Sequence, residues 1–286
     1  MKAIPEIRPS PIAGHWYSAN PQALRESIDD YLAAASLPPI KGKVVGLIVP
    51  HAGHLYSGPV AAYAFRAVAG MAIDLAVVVS PMHQYHPSPL LTSAHKAYAT
   101  PLGDVPIDRE AVAAIDRAMV TELGFGLSTI ALDQEHSLEI ELPFLQCVIS
   151  GAFNLLPIMM RDQTPEVARS LGGALARTLA GRSALLVASS DLSHFYPQEQ
   201  ADQLDAAFLE QVTAFSPEGL FVVEAQGKGY ACGLAPVAAI LWAARDLGAN
   251  RVQVLHHATS GDVTRDFSSV VGYGAAVILK DEDGSE

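Results

Sequence analysis

The chain is poor in the features that mark several large functional classes. It has two cysteines in 286 residues, Cys147 and Cys232, so at most one disulfide could form, and in a reducing compartment each thiol reads better singly. Lys and Arg number 18 against 30 Asp and Glu, a net charge of −12 with no basic block. That argues against a nucleic-acid or anionic-membrane surface. No run approaches the roughly 18 apolar residues of a membrane span, and residues 1–5 lead into polar sequence rather than a secretory apolar stretch. The expected compartment is the cytoplasm. No Walker motif and no Gly-x-Gly-x-x-Gly after a strand offers a cradle for a nucleotide, and Gly-x-Ser-x-Gly, the mark of many serine hydrolases, is missing too. Without a Gly/Ser linker or a shift in composition, residues 1–286 read as a single domain, with 1–19 an extended arm and 280–286 a frayed acidic tail.

Half of the residues are apolar, ample for a large core. Apolar runs rich in β-branched residues at 44–49, 74–80, 154–160 and 184–189 have the character of strands buried on both faces, and two more strands are expected at 252–257 and 270–279. Between them lie helical patterns. One runs over 21–35, with Asn20 as N-cap and Pro21 in the first turn. Others are expected at 60–69, 109–119, 133–143 with Pro143 as its end, 165–180, 197–215, from Pro217, and over 236–247. Strands alternating with helices predict a three-layer α/β/α domain around a central, mostly parallel sheet.

Ten histidines stand out against this background. His51, His83 and His194 each follow the carboxyl end of a different predicted strand, where ligands collect in open parallel sheets. Neutral imidazole is a ligand for Zn²⁺, Fe²⁺ or Cu²⁺. Cys232 precedes a helix start, where the helix dipole favours thiolate; a small buried hydrophobe is an equally good reading, and the better one for Cys147. Asp191 lies three residues before His194 and fits two roles, orienting that imidazole or capping a helix. His54, in the same loop as His51, is not expected to share its ligand. Glu135, His136 and Glu139 would share one helix face, which reads as polar lining or a hydrogen-bond network. His256 and His257 read as half core, half pocket rim, while His15, His86 and His95 have no evident partner.

The ordered segments Ala13-Gly14-His15-Trp16-Tyr17, Pro50-His51-Ala52-Gly53, Tyr56-Ser57-Gly58-Pro59, Asp133-Gln134-Glu135-His136-Ser137-Leu138-Glu139, Leu142-Pro143-Phe144-Leu145, Ser189-Ser190-Asp191-Leu192-Ser193-His194, Cys232-Gly233 and Ser260-Gly261-Asp262 together resemble the Memo family. Its bacterial and archaeal members are often called the B component of a three-part system with a radical-SAM protein. The resemblance implies the fold of class III extradiol ring-cleavage dioxygenases. It also implies a non-haem metal site whose ligands fall on His51, His83 and Cys232, with Asp191 and His194 beside them. The thiolate takes the place of a carboxylate in the dioxygenase triad and invites copper as well as iron. Two departures line the mouth: Ser80-Pro81-Met82 precedes His83 where the family commonly has Gly-Pro and a small polar residue, and His54 stands where tyrosine is common.

The leading expectation is therefore a metal-dependent, dioxygenase-like oxidoreductase acting on a small substrate. Fe²⁺ is the first metal, Cu or Zn the alternatives, and His194 the acid–base residue supported by Asp191. A non-catalytic module using the same pocket for a peptide or protein is the second reading, and a zinc-dependent hydrolase the third. A radical-SAM protein is the functional associate that the resemblance implies.

Overall fold

The computed structural model describes residues 4–281. In chain order the elements are β1 (Ile7–Arg8), α1 (Pro21–Ala34), β2 (Lys43–Val49), α2 (His54–Arg66), β3 (Leu75–Pro81), β4 (Leu90–Ser93), β5 (Ala97–Thr100), β6 (Gly103–Pro106), α3 (Arg109–Leu123) and β7 (Ser128–Ile130). A 3₁₀ turn at Glu139–Glu141 leads into α4 (Leu142–Val148), followed by β8 (Asn154–Met160), α5 (Pro165–Leu179), β9 (Ala184–Ser189) and β10 (His194–Tyr196). The remainder comprises α6 (Gln198–Thr213), α7 (Pro217–Ala225), α8 (Leu234–Asp246), β11 (Arg251–Thr259), α9 (Ser260–Thr264) and β12 (Val270–Lys280).

The main sheet runs in the order β10-β12-β2-β9-β3-β8-β4-β7, with β11 paired on β12. Its middle is parallel: β2 pairs with β9, β9 with β3, and β3 with β8. Every residue of β3 is buried, as a strand covered on both faces requires. Antiparallel strands close both flanks, β12 against β2 and β4 against β8, so the sheet is mixed. One group of helices, α3, α5 and α8, packs together, and a second contains α1, α2 and α4. A small sheet, β1-β5-β6, ties the N-terminal arm to the body.

Three local expectations are corrected. The segment 133–143 is not one helix; the chain stays irregular to Leu138, makes one 3₁₀ turn, and Pro143 then sits in the first turn of α4 instead of ending a helix. The helix after β2 begins at His54, not Val60, and carries Pro59 inside it. Gly58 lies inside that helix, where a Cβ would sit 2.8 Å from the Tyr31 ring, so the close approach of α1 calls for glycine. Lys280 belongs to β12 and is not frayed, while the rest of the expected tail from 282 on, like residues 1–3 of the arm, lies outside the described residues. Among the described residues no helix is long and apolar enough to cross a membrane.

Candidate metal centre

Because β2, β9 and β3 are parallel neighbours, their carboxyl ends lie side by side. His51 follows β2 after Pro50, Asp191 follows β9 after Ser190, and His83 follows β3 after Met82. Two loops complete the group: 131–138, carrying Glu135 and His136, and the loop before α8, carrying Cys232. Gly233 lets that second loop close. A Cβ at this position would lie 2.5 Å from Ser189 O; its absence allows Gly233 N–H to donate to Ser190 Oγ at 2.9 Å and Cys232 N–H to Asp191 O at 3.2 Å.

His51, His83 and His136 each offer a ligand atom, and the three atoms lie within 4.8 Å of one another. His136 thus joins a cluster from which the sequence reading left it out as lining. Its ring stacks on His83 with centroids 4.7 Å apart, and Trp16 from the arm covers it at 4.1 Å. His51 is buried, and its Nδ1 contacts Ser189 Oγ at 2.8 Å. Its Nε2 faces Cys232 Sγ at 3.1 Å and Asp191 Oδ2 at 4.0 Å. The His83 side chain is 35% exposed, so the cluster is open on that side.

Glu135 orients two of the three imidazoles. It receives the His83 main-chain N–H at 2.6 Å, faces His83 Nδ1 at 2.9 Å, and lies 3.4 Å from His136 Nδ1. A carboxylate behind a ligating histidine fixes the ring and leaves the other nitrogen for a metal. Burial works against its charge, yet the His83 ring, the Ser137 N–H and His136 hold its pKa well below the ordinary range. His51 is pushed far down by burial and by its imidazole neighbours, and His136 to about 4, chiefly by burial. Both are neutral and have lone pairs to give, so the donor set fits a transition metal.

Asp191 makes no hydrogen bond to His194, so it fills neither of its two expected roles: it does not orient that imidazole, and β10 rather than a helix follows it. Its Oδ1 instead accepts the His51 N–H at 2.7 Å, which fixes the backbone of the β2 loop. Burial raises its pKa to about 7, against the His51 and Ala52 N–H groups. His194 begins β10 and donates Nδ1–H to Leu192 O at 2.8 Å. Cys232 lies beside His51, and burial first and Asp191 second push its thiol well up, against the expected thiolate. His54 turns away from the cluster, with Nε2 on Ile140 O at 3.1 Å. His95 has partners after all, Pro5 O and the Leu132 N–H. His86 accepts the Ser88 N–H. His257 pairs with buried Asp205 at 2.8 Å and His256 stacks on Tyr63.

The family model described as "Memo-like protein" matches residues 8–277. The chain belongs to the Memo family. A MEMO1 family protein of Methanothermobacter thermautotrophicus is 38% identical over 277 residues, covering 93% of this chain and 98% of its relative. A second, from Nitrosopumilus maritimus, is 34% identical over 274 residues, covering 94% and 98%. Among solved structures, an uncharacterized protein of Escherichia coli K12 matches with a TM-score of 0.44 at 13% identity, over 82% of this chain and all of that one. Among the described residues of this Memo family chain, the three-histidine cluster is the group that could hold a metal ion.

Proposed function

We propose that this Memo family protein is a metal-dependent oxidoreductase acting on a small substrate in the cytoplasm. The ion is held by His51 and His83, with His136 and Cys232 completing its ligands. The observation that carries this reading is that His51 and His83, beyond the carboxyl ends of the parallel strands β2 and β3, and His136, from the 131–138 loop, bring three ligand atoms within 4.8 Å of one another. Fe²⁺ fits the open His83 side and the mixed nitrogen and sulfur donors, with copper next. When bound, such an ion supplies Lewis-acid polarisation and electron transfer. The chain's own residues do the rest. Glu135 and Ser189 hold the ligand rings, Asp191 fixes the His51 backbone, Trp16 excludes water from the His136 face, and His194, whose Nε2 is free of its backbone bond, serves as acid–base residue.

The test is elemental analysis and oxygen uptake with a reductant, on protein purified anaerobically from iron-replete cells. The expected result is about one equivalent of iron in the parent, at least tenfold less in His51→Ala and His136→Ala, and a changed metal preference in Cys232→Ser. Zinc as the metal recovered turns the reading to hydrolysis. A metal-free parent that takes up no oxygen overturns it in favour of a binding module.

A further inference from the structure

Ser189 Oγ stands where three polar groups meet. Ser137 O lies at 2.6 Å, His51 Nδ1 at 2.8 Å and Glu141 Oε1 at 2.9 Å. A serine hydroxyl has one hydrogen to give and two lone pairs to receive. A carbonyl oxygen only receives, so the contact with Ser137 takes the hydroxyl hydrogen. The remaining contacts must then bring their own hydrogens, Nδ1–H from His51 and O–H from Glu141. With Glu141 ionised, one of the two oxygen–oxygen contacts would hold no hydrogen.

We propose that Glu141 is a neutral carboxylic acid at neutral pH. Its proton, acting through Ser189, fixes His51 as the Nδ1–H tautomer with the Nε2 lone pair facing the metal cluster. Glu141 and Ser189 are thus positioning residues, and their purpose, though not the proton assignment itself, rests on the metal reading above. The surroundings of Glu141 agree. Its side chain is 1% exposed, and the influences on it are burial, which raises its pKa, the Ser189 bond, and the like charge of Asp191; no cation is among them. A buried carboxyl without a counter-charge takes a proton instead of remaining ionised. The three contacts also join the end of β9, the 131–138 loop and the 3₁₀ turn to one hydroxyl, so a single proton arrangement sets the face that His51 presents.

The experiment uses metal-free full-length protein at neutral pH. Imidazole-nitrogen NMR is expected to show His51 protonated on Nδ1. The infrared difference between the parent and Glu141→Gln is expected to show the carbonyl band of a protonated carboxylic acid. In Co²⁺ titrations Glu141→Gln, whose amide N–H donates to Ser189 as the acid does, keeps its affinity within about twofold, while Ser189→Ala loses about tenfold. An ionised Glu141, a His51 proton on Nε2, or a Gln variant as weak as Ser189→Ala overturns the proposal. The nitrogen spectrum of the parent decides alone if a variant does not fold. Absence of Co²⁺ binding with both spectra as expected defeats the metal reading and supports the proton assignment.

Discussion

His54 is a buried imidazole with one nitrogen satisfied and one not. Its Nε2–H donates to Ile140 O, while Nδ1 has no partner, and burial lowers its pKa to about 4. In the unfolded chain the ring takes its proton near the ordinary value of about 6.5. The stability that its neutral form contributes is complete above that value and is lost as pH falls from there toward 4. Between pH 7 and pH 5 this one group should cost the fold about 2 kcal/mol. Unfolding free energies from urea melts at the two pH values should fall less in His54→Phe than in the parent by about that amount; equal falls would show that His54 is not the group responsible. The same chemistry bears on what could be read in advance. His51 and His83 were legible because each follows an apolar run by a residue or two, and a strand end in a parallel sheet has a known place. The Asp191 carboxylate was legible as part of the site but not in its role, since nothing in the spacing shows that it reaches back to a main-chain N–H 140 positions away.

Element by element, the largest surprise is the 131–138 segment. Its carboxylates use the local backbone: Asp133 Oδ1 accepts Glu135 N–H, and Glu135 Oε1 accepts the N–H groups of His136 and Ser137. Such side-chain bonds compete with helical ones, which is why a helix-like pattern gives a loop and why His136 points into the cluster. The loop is also clamped from outside. Arg8, on the two-residue strand β1 and 1% exposed, donates to Asp133 Oδ1 at 2.6 Å and Glu135 O at 2.8 Å, and pairs with Glu139. Tyr17 OH donates to Glu139 as well, at 2.7 Å. Removing one partner of a buried pair leaves the other charge uncompensated. Arg8→Ala should therefore lower unfolding stability by about 3–5 kcal/mol and reduce metal content with it; a variant of parental stability that keeps its metal would disprove the clamp. Gly233→Ala should cost about 1–3 kcal/mol, because the added methyl forces the loop off β9, and should change the metal preference in the same direction as Cys232→Ser.

For the whole molecule, the alternating pattern made the α/β architecture and the parallel centre of the sheet legible, since both rest on local runs of buried residues. The antiparallel flanks were not, because the pairing of β12 with β2, or of β4 with β8, is decided by which distant strand covers which edge. A site assembled from five segments also links metal to global stability. An ion that binds the folded chain at about 100 times its dissociation constant adds about 2.7 kcal/mol, and at about 2–4 °C per kcal/mol the melting temperature should rise by about 5 °C or more. Thermal melts of metal-free protein with and without added Co²⁺ check this. No shift at saturating metal would mean that the three imidazoles do not act together.

The clamp at Arg8 bears finally on how the chain is made. Its partner Asp133 lies 125 residues further on, and a ribosome adding about 5–20 residues per second needs roughly 6–25 seconds to supply it. For that interval the guanidinium lacks its native partners, since neither Asp133 nor Glu139 has yet been made. The arm that carries Arg8 is thus among the last pieces to lock. His136 and Cys232 come later still in the chain, so a nascent chain arrested before residue 133 should be unable to retain the ion.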